Sequence, residues 1–175
     1  MKGSDLPLRI AVVGSGSAGP FEEVAEEVGA EIARRGAWLV CGGLGGVMEA
    51  ASRGAHRYGG VTVGILPDSI AVARKGKGLP NKFISLPIFT GRGGGRTGRN
   101  EVLINTADSV IALPGSNIKQ NGTRSEIELA IERSTPLVVH PFWKGVPEPI
   151  LEAPPLIQYF ESPADAVAKA CEEIH

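Results

Sequence analysis

Leu8-Arg9-Ile10-Ala11-Val12-Val13 runs directly into Gly14-Ser15-Gly16-Ser17-Ala18-Gly19, and this stretch decides the fold class. A short, β-branched apolar run with almost no polar alternation is the pattern of a strand buried on both faces. The glycines behind it permit a tight turn and close backbone approach. Phe21, Val24, Ala25, Val28 and Ile32 then recur at helical spacing, while Glu22, Glu23, Glu26, Glu27 and Glu31 fill the opposite side. Gly36 stops that helix. Strand, glycine turn and amphipathic helix make the first half of a parallel βαβ unit.

Working outward, the pattern repeats. Residues 37–41 predict a second strand, followed by Gly42-Gly43-Leu44-Gly45-Gly46 and a helix over 47–58. Residues 61–66 predict a third strand, closed by Pro67, and 68–82 read as a polar loop without period. A fourth strand is expected over 83–89, where Pro87 confines it to an edge or an irregular end. The glycine-rich loop 91–98 carries Arg92 and Arg96. A helix over 99–106, a strand over 109–113 and a helix from Gly122-Thr123 to Arg133 follow. A strand over 137–140, a proline-rich stretch and a short strand over 156–160 lead to a final helix. Ser162-Pro163-Ala164-Asp165 opens that helix with a serine cap, a proline in the first turn and an acid behind it. The alternation predicts an α/β fold: a Rossmann-like, doubly wound parallel sheet with helices on both faces, in a single domain over 1–175. Ligands of such sheets gather at the carboxyl ends of the strands. Every glycine cluster of this chain falls at such an end.

Bulk properties remove other classes. With 175 residues, 42% hydrophobic and 21% charged content and a net charge of -1, nothing builds a general field for nucleic acid or an anionic membrane. No apolar stretch reaches the ~18 residues of a membrane span, and the amino-terminal run is too short for a secretory signal. The expectation is a cytoplasmic protein without membrane or nucleic-acid partners. Cys41 and Cys171 match no metal spacing and read as thiols of a reducing compartment. His56, His140 and His175 are scattered and suggest no metal set. The 24 glycines are the unusual feature, because they cluster between apolar runs.

Three loops are candidate sites. Gly14 and Ser15 open the first, which looks like a dinucleotide fingerprint. The second strand, however, ends in Cys41-Gly42-Gly43 and lacks the acid that a dinucleotide ribose requires. A phosphate or ribose of a smaller ligand fits better than NAD or FAD, and a tight turn without ligand would need the same glycines. Gly42, Gly43 and Gly46 open the second helix, where free N–H groups suit an anion and where glycines also let helix and sheet pack closely. In the third, Gly122-Thr123 begins a helix just past a strand end, with Glu126 one turn in. That arrangement can hold a phosphate. Thr123-Arg124-Ser125-Glu126 also spells an ordinary capping box.

The chain resembles the LOG-like family, the LONELY GUY cytokinin-riboside-monophosphate phosphoribohydrolases often mislabelled lysine decarboxylases. It resembles their relatives, the molybdenum cofactor carrier proteins, more closely still. The resemblance rests on Gly42-Gly43 to Met48, Gly60 with residues 63–67, Arg99-Asn100, residues 107–112, and Gly122-Thr123 with Glu126. It implies phosphate binding by Gly115, Gly122 and Thr123, and Arg99 and Glu126 as a catalytic pair cleaving the N-glycosidic bond of nucleoside 5′-monophosphates. No cofactor is then required. It equally implies a non-catalytic carrier with the molybdenum cofactor as cargo, or a nucleotide sensor, working as a dimer or higher homo-oligomer. Six residues, 116–121, separate Gly115 from Gly122 where the hydrolase pattern has two; Ser116 replaces a glycine and Asn100 a lysine. These departures bear on hydrolysis more than on phosphate binding. Arg92 and Arg96 are further candidates to converge with Arg99 on one anion.

Overall fold

A computed structural model describes residues 6–114, 121–143 and 157–172. Seven strands form one sheet: β1 (Arg9–Val13), β2 (Trp38–Cys41), β3 (Thr62–Leu66), β4 (Leu86–Phe89), β5 (Ser109–Ala112), β6 (Leu137–Val139) and β7 (Ile157–Tyr159). Their order is β4-β3-β2-β1-β5-β6-β7, and every pairing is parallel. The chain walks outward from β1 to β4, then returns to the other side of β1 with β5. The reversal between β1 and β5 is the switch point at which such sheets open a crevice.

Helices cover both faces because the strands are apolar on both. On one side α1 (Glu22–Arg34), α2 (Val47–Arg57) and α6 (Pro163–Glu172) pack over Ile10, Val12, Leu39 and Ile111. On the other, α4 (Arg99–Thr106) and α5 (Asn121–Glu132) bring Leu103, Ile104, Ile127 and Leu129 against Val13, Val40, Val63 and Val110. Alternate residues of β1 therefore feed two separate cores. Ile10 is fully buried. Ile10→Ala is expected to lower unfolding free energy by about 3 kcal/mol in urea melts, as large-to-small core changes do. Ile88→Ala, on the half-exposed β4 edge, should cost under about 1 kcal/mol.

Local departures from the sequence pattern have physical causes. A short helix α3 (Ile70–Ala73) sits within the expected loop 68–82. Strand β4 starts at Leu86, not residue 83. The preceding residues instead satisfy Thr62, whose hydroxyl donates to the Phe83 carbonyl at 2.6 Å and whose N–H donates to Ser85 Oγ at 2.8 Å. Pro87 lies on that edge strand, as its missing N–H requires. Helix α6 opens as expected, with the Asp165 N–H donating to Ser162 Oγ at 3.2 Å. No helix among the described residues is long and apolar enough to cross a membrane.

Candidate functional site

The loops after β1 and β2 are built against each other. Val47 N–H donates to the Ser15 carbonyl at 2.9 Å. The buried Ser15 turns its hydroxyl inward, accepting from Ser17 N–H at 3.1 Å. Gly46 sits at φ +61, and a Cβ there would stand 2.3 Å from the Ser15 carbonyl oxygen. Conformation and space both demand glycine. Gly14 faces the Val47 side chain, 2.6 Å from where its own Cβ would be. Gly14, Ser15 and Gly46 thus clamp two loops together at the carboxyl edge.

Gly42 serves a different neighbour. A Cβ on it would lie 1.9 Å from Arg99 Nη1 and 2.6 Å from Met48 Sδ. The guanidinium of Arg99 therefore rests on the bare Gly42 backbone at the end of β2. Arg99 is the first residue of α4, and its N–H donates to the Gly93 carbonyl at 2.9 Å. Across from it, Glu126 Oε1 stands 3.7 Å from Nη1, an ion pair too long to be a hydrogen bond. Both side chains are nearly enclosed, 11% and 7% exposed.

Among the described residues, Arg99 Nε and Nη1 are buried without a hydrogen-bond partner, as are Asn100 Oδ1 beside it in α4, Ser125 Oγ on α5 and Ser109 Oγ on β5. Buried donors and acceptors are normally satisfied, and each one left unpaired costs about 1–3 kcal/mol. Two unpaired N–H groups of a guanidinium are the donor set for an anionic oxygen. Burial pushes the Glu126 carboxyl up to about 7, and Arg99 only partly opposes it. Cys41, fully buried beside them, is also pushed up by burial, against hydrogen bonds from Ser52 and Gly43 N–H.

The sequence-derived residues separate on this geometry. Arg99 and Glu126 meet, with Gly42 beneath them. Gly43, at φ +72, turns the loop and accepts Asn81 N–H on its carbonyl at 2.8 Å. Thr123 is buried and Gly122 exposed in the first turn of α5, which begins at Asn121. Gly115 and residues 116–120 lie outside the described residues. The capping-box reading is corrected: with α5 starting two residues before Thr123, Glu126 lies in the helix interior and faces Arg99. The convergence of three arginines is corrected too. Arg92 pairs with Glu101 at 3.1 Å, and Arg96 pairs with Glu128 at 3.0 Å and with Glu132. Both are drawn to carboxylates of α4 and α5, away from the enclosed pair. His140 is structural: its ring packs edge-on against Phe21 and Phe160, and its Nδ1 accepts Phe142 N–H at 3.1 Å.

Asn100, Ser125 and Asn81 were not singled out as site residues from sequence. Asn100 was legible as the residue that replaces a lysine of the hydrolase pattern, not as a buried polar group. Asn81 fastens residues 68–82 to the second glycine loop, its Nδ2 donating to the Leu44 carbonyl at 2.9 Å. Nothing in its surrounding sequence signals that partner. Among the described residues, no cluster of His, Cys, Asp and Glu could hold a metal ion.

The raised Glu126 carboxyl makes stability depend on pH. Unfolded, it titrates near 4.5; folded, near 7. Its contribution is fully present below pH 4.5 and is lost as pH rises through about 7. The urea midpoint of the native protein should therefore fall between pH 5 and pH 8. Glu126→Gln should flatten that fall and be the more stable of the two at pH 8, by about 1–3 kcal/mol. Parallel pH profiles would contradict the burial argument.

The family model that matches is the SLOG cluster4 family, over residues 7–167. A protein of Archaeoglobus fulgidus is 34% identical over 161 residues, covering 91% of this chain and 92% of its own length. Among solved structures, the molybdenum cofactor binding protein of Rippkaea orientalis is similar, at 27% identity and TM-score 0.77, covering 98% of this chain and 99% of that one. The molybdenum cofactor carrier protein of Chlamydomonas reinhardtii is similar at 26% identity and TM-score 0.72, covering 97% and 98%.

Proposed function

This chain belongs to the SLOG cluster4 family of Rossmann-like proteins, and we propose on that premise that it binds a phosphorylated, nucleotide-like small molecule at the carboxyl edge of its sheet. One observation carries this reading: the enclosed Arg99 guanidinium, with Nε and Nη1 lacking a hydrogen-bond partner among the described residues, opposite a carboxyl at about 7. A phosphate or ribose oxygen supplies the acceptors those N–H groups lack. The first turn of α5, with Gly122 and Thr123, offers backbone N–H groups to the same phosphate, and the family resemblance adds Gly115 as a further phosphate-binding residue. The loops of Gly14, Ser15, Gly42, Gly43 and Gly46 form its floor. All 175 residues act as one such unit, assembled at least as a dimer.

The similarity to proteins that bind and carry the molybdenum cofactor favours carriage, with that phosphorylated pterin as cargo. In this role Arg99 and Glu126 hold and release the ligand without bond cleavage. The test is purification from cells that make the cofactor, followed by oxidation and pterin fluorescence. Carriage predicts close to one pterin per chain, lost in Arg99→Met; no pterin in native protein, even after adding the cofactor, rejects it.

A second reading is favoured by Glu126 itself. A buried carboxyl poised near neutrality beside a phosphate-holding arginine can steady a cation-like sugar or position water as an N-glycosidic bond breaks. Native protein would then release free base from AMP or another nucleoside monophosphate, and Glu126→Gln would not. Absence of free base across such a panel ends this reading and leaves binding standing.

A further inference from the structure

We infer that residues 74–82 form a second anion subsite at the mouth of the site, which takes an additional phosphate group of the ligand. The observation is an imbalance in charge pairing. Every described arginine and lysine outside 74–82 stands within 4.0 Å of a carboxylate. Arg74, Lys75, Lys77 and Lys82 alone have no such partner among the described residues, and all four are exposed. Asp68 is the one acidic residue between 67 and 82, and its carboxylate lies against Gly78 rather than beside a cation. In a chain of net charge -1, the unpaired positive charge of the described structure is concentrated in one short loop.

The segment 67–82 that carries this loop behind α3 is tied to the site at both ends. At one end Asn81 bonds to the Gly43 and Leu44 carbonyls, in the loop that carries Gly42 under Arg99. At the other, Gly91 N–H donates to the Asp68 carbonyl and Gly93 N–H to Pro67, and the Gly93 carbonyl in turn receives Arg99 N–H. The four cations are thus anchored through backbone to the two loops that place the Arg99 guanidinium. Arg99 is enclosed and suits one anionic group; the exposed loop beside it suits another that projects outward. The inference rests on the phosphate-binding reading and adds that a ligand with a further phosphate binds more tightly than its monophosphate. A nucleic-acid backbone would need a track of cations, with rings for its bases. Here the cations are confined to nine residues, and the ring that follows them, Phe83, is already engaged by Lys82 Nζ at 5.1 Å and by His56 at 5.8 Å.

The experiment is calorimetric titration of the native protein with AMP, ADP and ATP at low and moderate salt. The same titrations follow on the variant Arg74→Ala, Lys75→Ala, Lys77→Ala, Lys82→Ala. Native affinity should rise about tenfold from AMP to ADP, a step that weakens with salt. The variant should bind AMP within about twofold of native, which also shows that it is folded, and should gain nothing from further phosphates. Equal affinity for the three nucleotides in native protein, or an unchanged step in the variant, overturns the inference. So does tighter competition by a twenty-residue oligothymidylate that depends on the same four side chains, which would assign the loop to single-stranded nucleic acid. Failure of AMP itself to bind marks the failure of the phosphate-binding reading and removes this one with it.

Discussion

Replacing Arg99 with methionine should weaken binding of a nucleoside monophosphate by at least about a hundredfold while the protein stays folded. The guanidinium supplies two buried N–H donors that have no partner among the described residues. Charge-assisted hydrogen bonds of that kind contribute about 1.5–3 kcal/mol each. Methionine keeps much of the side-chain volume over Gly42, so a cavity does not confuse the result. Removing the cation also removes the charge that lowers the Glu126 carboxyl. Glu126 then holds its proton to higher pH, and an uncompensated buried charge is avoided by neutralisation. Affinity should fall and stability should change little at pH 6. Calorimetric titration beside urea melts separates the two; a loss of under about fivefold would take Arg99 out of the site.

The second large effect is expected at a residue that carries no chemistry. Gly42→Val should cost about 2–3 kcal/mol in urea melts, as overpacking does, and abolish ligand binding together. Its Cβ would need space now held by Arg99 Nη1, at 1.9 Å, and Met48 Sδ, at 2.6 Å. The arginine is the more flexible and must leave the pocket, so the variant should lose binding as fully as Arg99→Met does. Gly36→Val is the control. It lies far from the loops at the end of α1, has open space around its Cβ, and is strained only by its φ of +71. It should cost stability alone. Retained binding in Gly42→Val would mean that Arg99 does not rest where the geometry puts it.

Much of the fold was legible in residue order. The apolar run of β1, the glycine turn and the helical spacing of α1 each obey a local rule, and helix α4 spans the predicted 99–106. Repeating that unit leaves few topologies open. Arg99 and Glu126 were legible as a pair only through family resemblance, since 26 residues and a strand separate them. What local rules miss is long-range pairing. Arg96 looked like an anion ligand because its neighbours are glycines, but its partners Glu128 and Glu132 lie a helix away. Likewise Thr123-Arg124-Ser125-Glu126 obeyed the capping pattern, yet desolvation and the facing arginine gave Glu126 another environment. The glycine of position 42 was visible; the guanidinium that requires it was not.

A groove of about 660 Å³ on the outer side of α1 and α2 is a rival location for a small molecule. Glu23, Glu26, Glu27 and Glu31 line it, with Arg34 and Arg57 engaged by Glu31 and Glu26. Clustered carboxylates repel phosphate, so volume there does not make a phosphate site. The most direct test of the account is therefore a crystal structure of the protein with bound nucleoside monophosphate. It should place an anionic oxygen of the ligand within hydrogen-bond distance of Arg99 Nε or Nη1, at the carboxyl edge between Gly42 and the start of α5. A phosphate seated in the α1–α2 groove, or anywhere that leaves those two nitrogens unpaired, would contradict it.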